Sequence, residues 1–244
     1  MRLQLPRRKA SHFDYAALQR WQSSRHGRRI LALEQLELRA VLPELFGRHM
    51  LQIGNWGRGR RLLASSQMLH CAVLGSCADP YSQAWIELER LPLMTHSVDA
   101  ILLPHTMEFV GSPHRLLREV DRVLTARGQV IVVGFNPWSV WGLREAFGVH
   151  HHLYPSSGRL RGVGRLCDWL SLLDFETTHV RRFSVAVPWL SRLRFARMLA
   201  GYVIVARKRV IPMTFVARPA RVKLRAVVGA SIPLSGARAQ QHDG

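Results

Sequence analysis

Between Ser97 and Trp141 the chain reads SVDAILLPHTMEFVGSPHRLLREVDRVLTARGQVIVVGFNPWSVW, and this stretch limits the possible folds more than any other. Val98 to Leu103 is a short apolar run of the kind that forms a buried strand, and Gln129 to Val133 is a second, rich in β-branched residues. A helix is predicted between them. Ser112 suits its cap, Pro113 its first position, and Gly128 the left-handed residue just beyond its end. Leu116, Leu117, Val120, Val123 and Leu124 fall on one face of that helix. Strand, helix and strand in this order make a right-handed βαβ unit, so the two strands are expected to be parallel and covered.

The rest of the chain extends this α/β reading. Tyr15 to Trp21 carries a short helical pattern, followed by a break at Ser23-Ser24-Arg25-His26-Gly27. Arg28 to Leu45 reads as a longer amphipathic helix ended by Gly47. His49 to Gly54 and Met68 to Leu74 are strand candidates, the second ending at Gly75-Ser76. After the fifth strand come Asn136, Trp138 and Trp141, and then His150-His151-His152. Three adjacent histidines cannot all face one ion, and no carboxylate or cysteine stands near at ligand spacing, so no metal site is expected. Arg159 to Leu173 reads as a helix with Leu166, Trp169, Leu170 and Leu173 inward. Asp174 to Val180 and Gly201 to Ala206 supply two closing strands.

Composition bounds the class. A chain of 244 residues with 48% hydrophobic content is enough for one α/β domain with a true core. No apolar run approaches the roughly 18 residues that span a bilayer, and the basic start MRLQLPRRKASHFDY lacks the apolar core of a secretory signal. Cys71, Cys77 and Cys167 form no CxxC pair, so a reducing, cytoplasmic setting is expected. The net charge is +19, and the two ends are more basic than the body. That distribution suits nucleic acid or an acidic surface, although arginine-rich composition alone also produces it. The expected layout is a flexible basic arm at 1–14, helices at 15–46, a sheet core at 47–208, and a disordered basic tail at 209–244.

The central stretch also resembles a known family. Pro104-His105, Met107-Glu108-Phe109, the helix reading LLREVDRVL from Leu116 to Leu124, and Arg127-Gly128 are similar to the middle of class I S-adenosylmethionine (SAM)-dependent methyltransferases of type 11. The string from Gly134 to Arg144, GFNPWSVWGLR, resembles a proteobacterial subgroup of methyltransferase-like proteins with an eroded glycine loop. The resemblance covers roughly residues 20–210. It implies a Rossmann-like, seven-stranded, mostly parallel sheet with helices on both faces and an antiparallel closing pair.

It also implies a cofactor, SAM, and a set of contacts. The family reads acid-x-Gly-x-Gly-x-Gly after its first strand, so that the chain turns sharply and backbone amides approach the ligand. Here the loop runs Gln52-Ile53-Gly54-Asn55-Trp56-Gly57-Arg58-Gly59. Gln52 replaces the carboxylate, and Trp56 sits where the second glycine belongs. Gly54, Asn55 and Gly57 align with the loop. Ser76 stands where the family places a ribose-binding acid. By spacing from Pro92, Glu87 falls at the adenine amino group, with Leu88 beside it; a solvated loop glutamate fits the same sequence. Pro104 and His105 close the fourth strand at the edge where open α/β sheets bind ligands. His105 is a candidate base, or else a residue that positions the loop, and Glu108 is expected to fix the following turn. Asn136, Trp138 and Trp141 frame either a substrate pocket or a hydrophobic plug.

The resemblance implies methyl transfer to a small-molecule acceptor. Two other readings stand beside it. The altered loop suits a methyltransferase-like module that has lost catalysis, and the basic ends suit an RNA methyltransferase. LPHTMEF follows the fourth strand in place of an Asn-Pro-Pro-Tyr-like motif, which disfavours methylation of a base amine.

Overall fold

Strand β4, Val98–Pro104, lies at the centre of a sheet ordered β3-β2-β1-β4-β5-β7-β6. The computed structural model describes residues 15–76, 80–137, 139, 159–184 and 200–209. The two basic ends, Trp138, Trp141 and the three histidines at 150–152 lie outside the described residues. Strands β1 (His49–Ile53), β2 (His70–Gly75), β3 (Ala84–Trp85), β4 and β5 (Leu124–Phe135) run parallel. Strand β7 (Ala200–Lys208) lies antiparallel between β5 and β6 (Phe175–Ser184). This is the doubly covered sheet with an antiparallel closing pair expected from the sequence.

Side chains alternate across the sheet with the strand period of two. Ala100, Leu102, Ile131, Val133, Val203 and Val205 face one layer, with Met50 and Val73. Helices α1 (Tyr15–Ser23) and α2 (Arg25–Arg39) cover that layer through Leu18, Trp21, Ile30 and Leu38. Ile101, Leu103, Val130, Val132 and Ile204 face the other layer. It is covered by α4 (Pro113–Val123) through Leu116, Leu117, Val120 and Val123, and by α5 (Val163–Ser171) through Leu166 and Leu170. A one-turn helix, α3 (Thr106–Phe109), links β4 to α4.

The punctuation differs from the sequence reading at several points. The α1/α2 break narrows to Ser24, whose side chain accepts from the Gly27 amide over 3.0 Å and draws Gly27 inside α2. Helix α2 ends at Arg39, and a 3₁₀ turn containing Pro43 follows, so Gly47 does not terminate it. Ser112 holds the N-cap position of α4, but its side chain makes no cap bond. Its amide instead donates to Glu89 Oε1 at 2.8 Å.

Gly128 is not a helix terminator. Helix α4 stops at Val123, and Leu124 is already extended, pairing with Val98 before the ladder resumes at Ala100 and Gln129. Residues 125–128 therefore bulge out of β5. Helix α5 begins at Val163, later than Arg159, because residues 159–162 stay unwound, with the Arg159 amide donating to Glu108 O and the Arg161 carbonyl accepting from the Tyr202 hydroxyl.

Two polar clamps fix the edges of this framework. Asp99 accepts from the amides of Arg48 and His49 at 2.8 and 3.1 Å. Its partial burial pushes its pKa up, and those bonds, with Thr125, more than reverse this and leave it lowered. Arg122 donates to the carbonyls of Leu91 and Leu93 and to Glu119, tying the segment before β4 to α4.

Candidate functional site

The carboxyl ends of β1, β2 and β4 meet where the sheet order reverses, and open α/β sheets bind ligands at such a switch point. Gly54 follows β1 with φ 115°, donating its amide to Leu74 O of β2 at 2.8 Å. A Cβ at Gly54 would meet Thr106 Oγ1 at 2.5 Å, so the residue must be glycine for its space as well as its angle. The Thr106 hydroxyl donates to Ile53 O and locks the ends of β1 and β4 together. Asn55 crosses to β2, where its Oδ1 accepts from the Ser76 amide and hydroxyl at 2.8 and 3.0 Å.

Trp56 then turns inward. It is 2% exposed and lies against His105, Trp21, Phe135 and Phe109, with ring centroids 3.9, 5.1, 5.9 and 6.4 Å away. Its indole N–H donates to Glu34 Oε2 at 2.8 Å. Its carbonyl accepts from Gln52 Nε2 at 2.7 Å, while Gln52 Oε1 is buried without a partner.

Beneath the indole lies a buried ionic triad. His105 bridges Glu34 Oε1 through Nε2 at 2.8 Å and Glu108 Oε2 through Nδ1 at 3.2 Å, and none of the three is more than 3% exposed. Carboxylates only accept, so both ring nitrogens carry protons and the ring is an imidazolium. Burial pushes its pKa down, but the charges and hydrogen bonds of Glu108 and Glu34 overcome this and raise it to about 9. The backbone at His105 is left-handed, with φ 54°, and its amide donates to Val133 O. Such strain persists only where surrounding contacts over-determine it. Glu108 Oε1 also accepts from the Phe135 amide at 2.7 Å, tying the start of α3 to the end of β5.

Of the two expectations for His105, the geometry suits the positioning one better than the base: both ring nitrogens are engaged and the ring is fully buried, and Glu108 bonds across the following turn. Glu34 was not among the expected site residues. Its signal is its register: it stands one helical turn from both Ile30 and Leu38, a carboxylate on the buried stripe of α2.

Of the expected contacts, Gly54, Asn55, Ser76, Leu88 and Pro104 come together with Trp56, Thr106, Phe109 and Leu18 around one cleft. Glu87 does not join them. It is exposed, with its backbone carbonyl accepting from the Arg90 amide at 3.0 Å, leaving Leu88 to line the wall. Gln52 and His105 lie beneath the cleft, buried at 1% and 0%. Gly57 keeps a left-handed φ of 81° beside Leu62. Asn136 follows β5, where its carbonyl accepts from Ser139. Among the described residues, no group of three or more His, Cys, Asp or Glu is arranged to hold a metal ion.

A family model described as a methyltransferase domain matches residues 64–132. The chain is 38% identical to the uncharacterized protein YafS of Escherichia coli strain K12 over 193 residues, 75% of this chain and 77% of that protein. The fold is shared with a Thermotoga maritima SAM-dependent methyltransferase at TM-score 0.57 and 21% identity, covering 78% of this chain and 94% of that one. It is also shared with a chain from the complex of the Haloferax volcanii Trm112 methyltransferase activator and a methyltransferase. There the TM-score is 0.59, with 12% identity and coverage of 80% and 98%. The protein belongs to the class I SAM-dependent methyltransferases, in the type-11 family and alongside YafS. SAM is the cofactor of that family.

The donor set fits this cofactor in kind. Gln52 Oε1 is an orphaned acceptor below the glycine turn, suited to an ammonium. Trp21 Nε1 is an orphaned buried donor on a ring that touches Trp56, suited to a carboxylate. Leu18, Leu88 and Phe109 offer apolar walls. Volume is what the cleft lacks. With the indole in place it holds about 50 Å³, whereas ligand pockets typically hold roughly 300–1,000 Å³.

Proposed function

We propose that the protein transfers a methyl group from SAM to a small-molecule acceptor. The observation that carries this reading is the orphaned Gln52 Oε1, an acceptor buried at the switch point with no hydrogen-bond partner among the described residues. When bound, SAM supplies an electrophilic methyl group on a sulfonium.

The chain's own part is binding, orientation and exclusion of water. Gln52 would hold the ammonium and Trp21 the carboxylate of the amino-acid end. Asn55 and Ser76 would face the ribose, their mutual hydrogen bonds opening toward the hydroxyls. Leu88 and Pro104 would wall the cleft. His105, locked between Glu34 and Glu108, would keep the ends of β4 and β5 at fixed separation. Methyl transfer depends on placement and a dry site more than on a strong acid or base, and the site offers none.

Isothermal titration of the purified chain with SAM and S-adenosylhomocysteine tests this. Binding that is lost in Gly54→Trp supports it. No heat and no thermal shift at millimolar ligand, in wild type and in Trp56→Gly alike, overturns it. The indole in the cleft favours a second reading, a methyltransferase-like module without catalysis, which the same null result would support.

A further inference from the structure

We propose that Trp56 is an internal occupant of the cofactor cleft, a removable plug that must leave Glu34 before SAM can enter. The inference rests on the reading that this cleft takes SAM.

Four observations converge on it. The loop after β1 keeps the backbone of a ligand-binding glycine turn, with left-handed φ values of 115°, 81° and 62° at Gly54, Gly57 and Gly59. Its one aromatic residue is Trp56, which is part of the cleft wall with Gly54, Ser76, Leu88 and Pro104. With the ring there, about 50 Å³ remains, near the room of one or two waters.

The third observation is how the ring is held. Its polar anchors are few: one bond from the indole N–H to Glu34 and one from Gln52 to the Trp56 carbonyl. Glu34 keeps His105 as a partner when the indole departs, so opening does not strand its charge. The fourth is an imbalance in the closed state. Trp21 Nε1 and Gln52 Oε1, on two residues that touch Trp56, are buried without partners among the described residues. Orphaned groups of this kind are costly to leave unsatisfied. A ligand end that carries both an ammonium and a carboxylate has the complementary group for each. The closed state is therefore poorly satisfied in the very groups that an amino-acid moiety would engage.

A protein whose competent state is a minor one binds its ligand more weakly by the fraction that is open. Taking away the plug removes that handicap. The test is titration of full-length wild type, Trp56→Gly and Trp56→Phe with S-adenosylhomocysteine, each checked by circular dichroism for an unchanged fold. Trp56→Gly is expected to bind at least about tenfold tighter than wild type, and Trp56→Phe, which keeps bulk but loses the N–H anchor, to fall between them. Should Trp56→Gly fail to fold, tighter binding by Trp56→Phe carries the same support.

If wild type binds and the folded variants bind equally or more weakly, the plug is overturned while the cofactor reading stands. If neither wild type nor Trp56→Gly binds, the cofactor reading falls and the plug falls with it. Stopped-flow mixing gives a second readout. The wild-type association rate should level off with ligand concentration, as a gated step requires, whereas that of Trp56→Gly should stay linear.

Discussion

The indole N–H of Trp56 and the carboxylate of Glu34 are 2.8 Å apart across 22 residues of sequence, and both are buried. This bond joins the turn after β1 to the middle of α2. Glu34 thereby serves the indole with one oxygen and His105 with the other. Replacing it by alanine leaves an imidazolium and an indole N–H without their acceptor. Glu34→Ala is expected to lose on the order of 3–5 kcal/mol of unfolding free energy. Urea denaturation at neutral pH measures it, and a loss below about 1 kcal/mol would contradict the triad's charged state.

The same triad sets a pH dependence. The folded pKa of His105 is raised to about 9 from 6.5. The stabilisation is therefore complete below pH 6.5, where both folded and unfolded chains hold the proton, and is lost as pH rises toward 9. The total at stake is on the order of 3 kcal/mol, at about 1.4 kcal/mol per pH unit. Urea midpoints measured from pH 6 to 9.5 should fall for wild type. They should fall less for His105→Gln, which begins less stable.

Gly54 tests the turn itself. Alanine there would adopt a φ of 115° and place its Cβ 2.5 Å from Thr106 Oγ1. Gly54→Ala is expected to cost about 2–3 kcal/mol, from backbone strain and the displaced hydroxyl. The double variant with Thr106→Ser, which keeps the hydroxyl but drops the methyl, should recover little of it. Thermal denaturation of the two variants decides the point.

Arg122 tests geometry against charge. Its guanidinium reaches Leu91 O, Leu93 O and Glu119 together. A lysine keeps the charge but cannot present that fork. Arg122→Lys is expected to cost about 1–2 kcal/mol and to raise amide exchange in residues 91–97. Unchanged exchange there would show that the clamp does not hold the segment.

The parts legible in the sequence were those with local causes. Val98 to Leu103, the face of α4 and the β-branched run before Gly134 gave the parallel unit, because burial on both faces and helical spacing leave periodic traces. Punctuation was less legible. Gly128 has the composition of a helix end, but Leu124 is drawn into the ladder by Val98, a partner 26 positions away. Residues 159–162 look helical, yet Arg159 N donates to Glu108 O and the stretch stays unwound. In the site, the glycine turn, Asn55 and Pro104 were readable from motif spacing. The triad was not. A histidine after a strand reads equally as a base or a positioning residue until its neighbours are known, and only tertiary packing brings α2 over it. Trp56 was visible as an anomaly in the loop, whereas the direction it faces was not.

Strand β7 lies between β5 and β6, although β6 precedes it in the chain. During vectorial synthesis β6 emerges before β7, the strand it pairs with among the described residues. The parallel strands can assemble first, while β5 and β6 each present an unpaired border to the surroundings. Such borders invite pairing with other chains. The interval before β7 is available is thus one in which both borders stand open to misassembly, and completing β7 closes them in a single step.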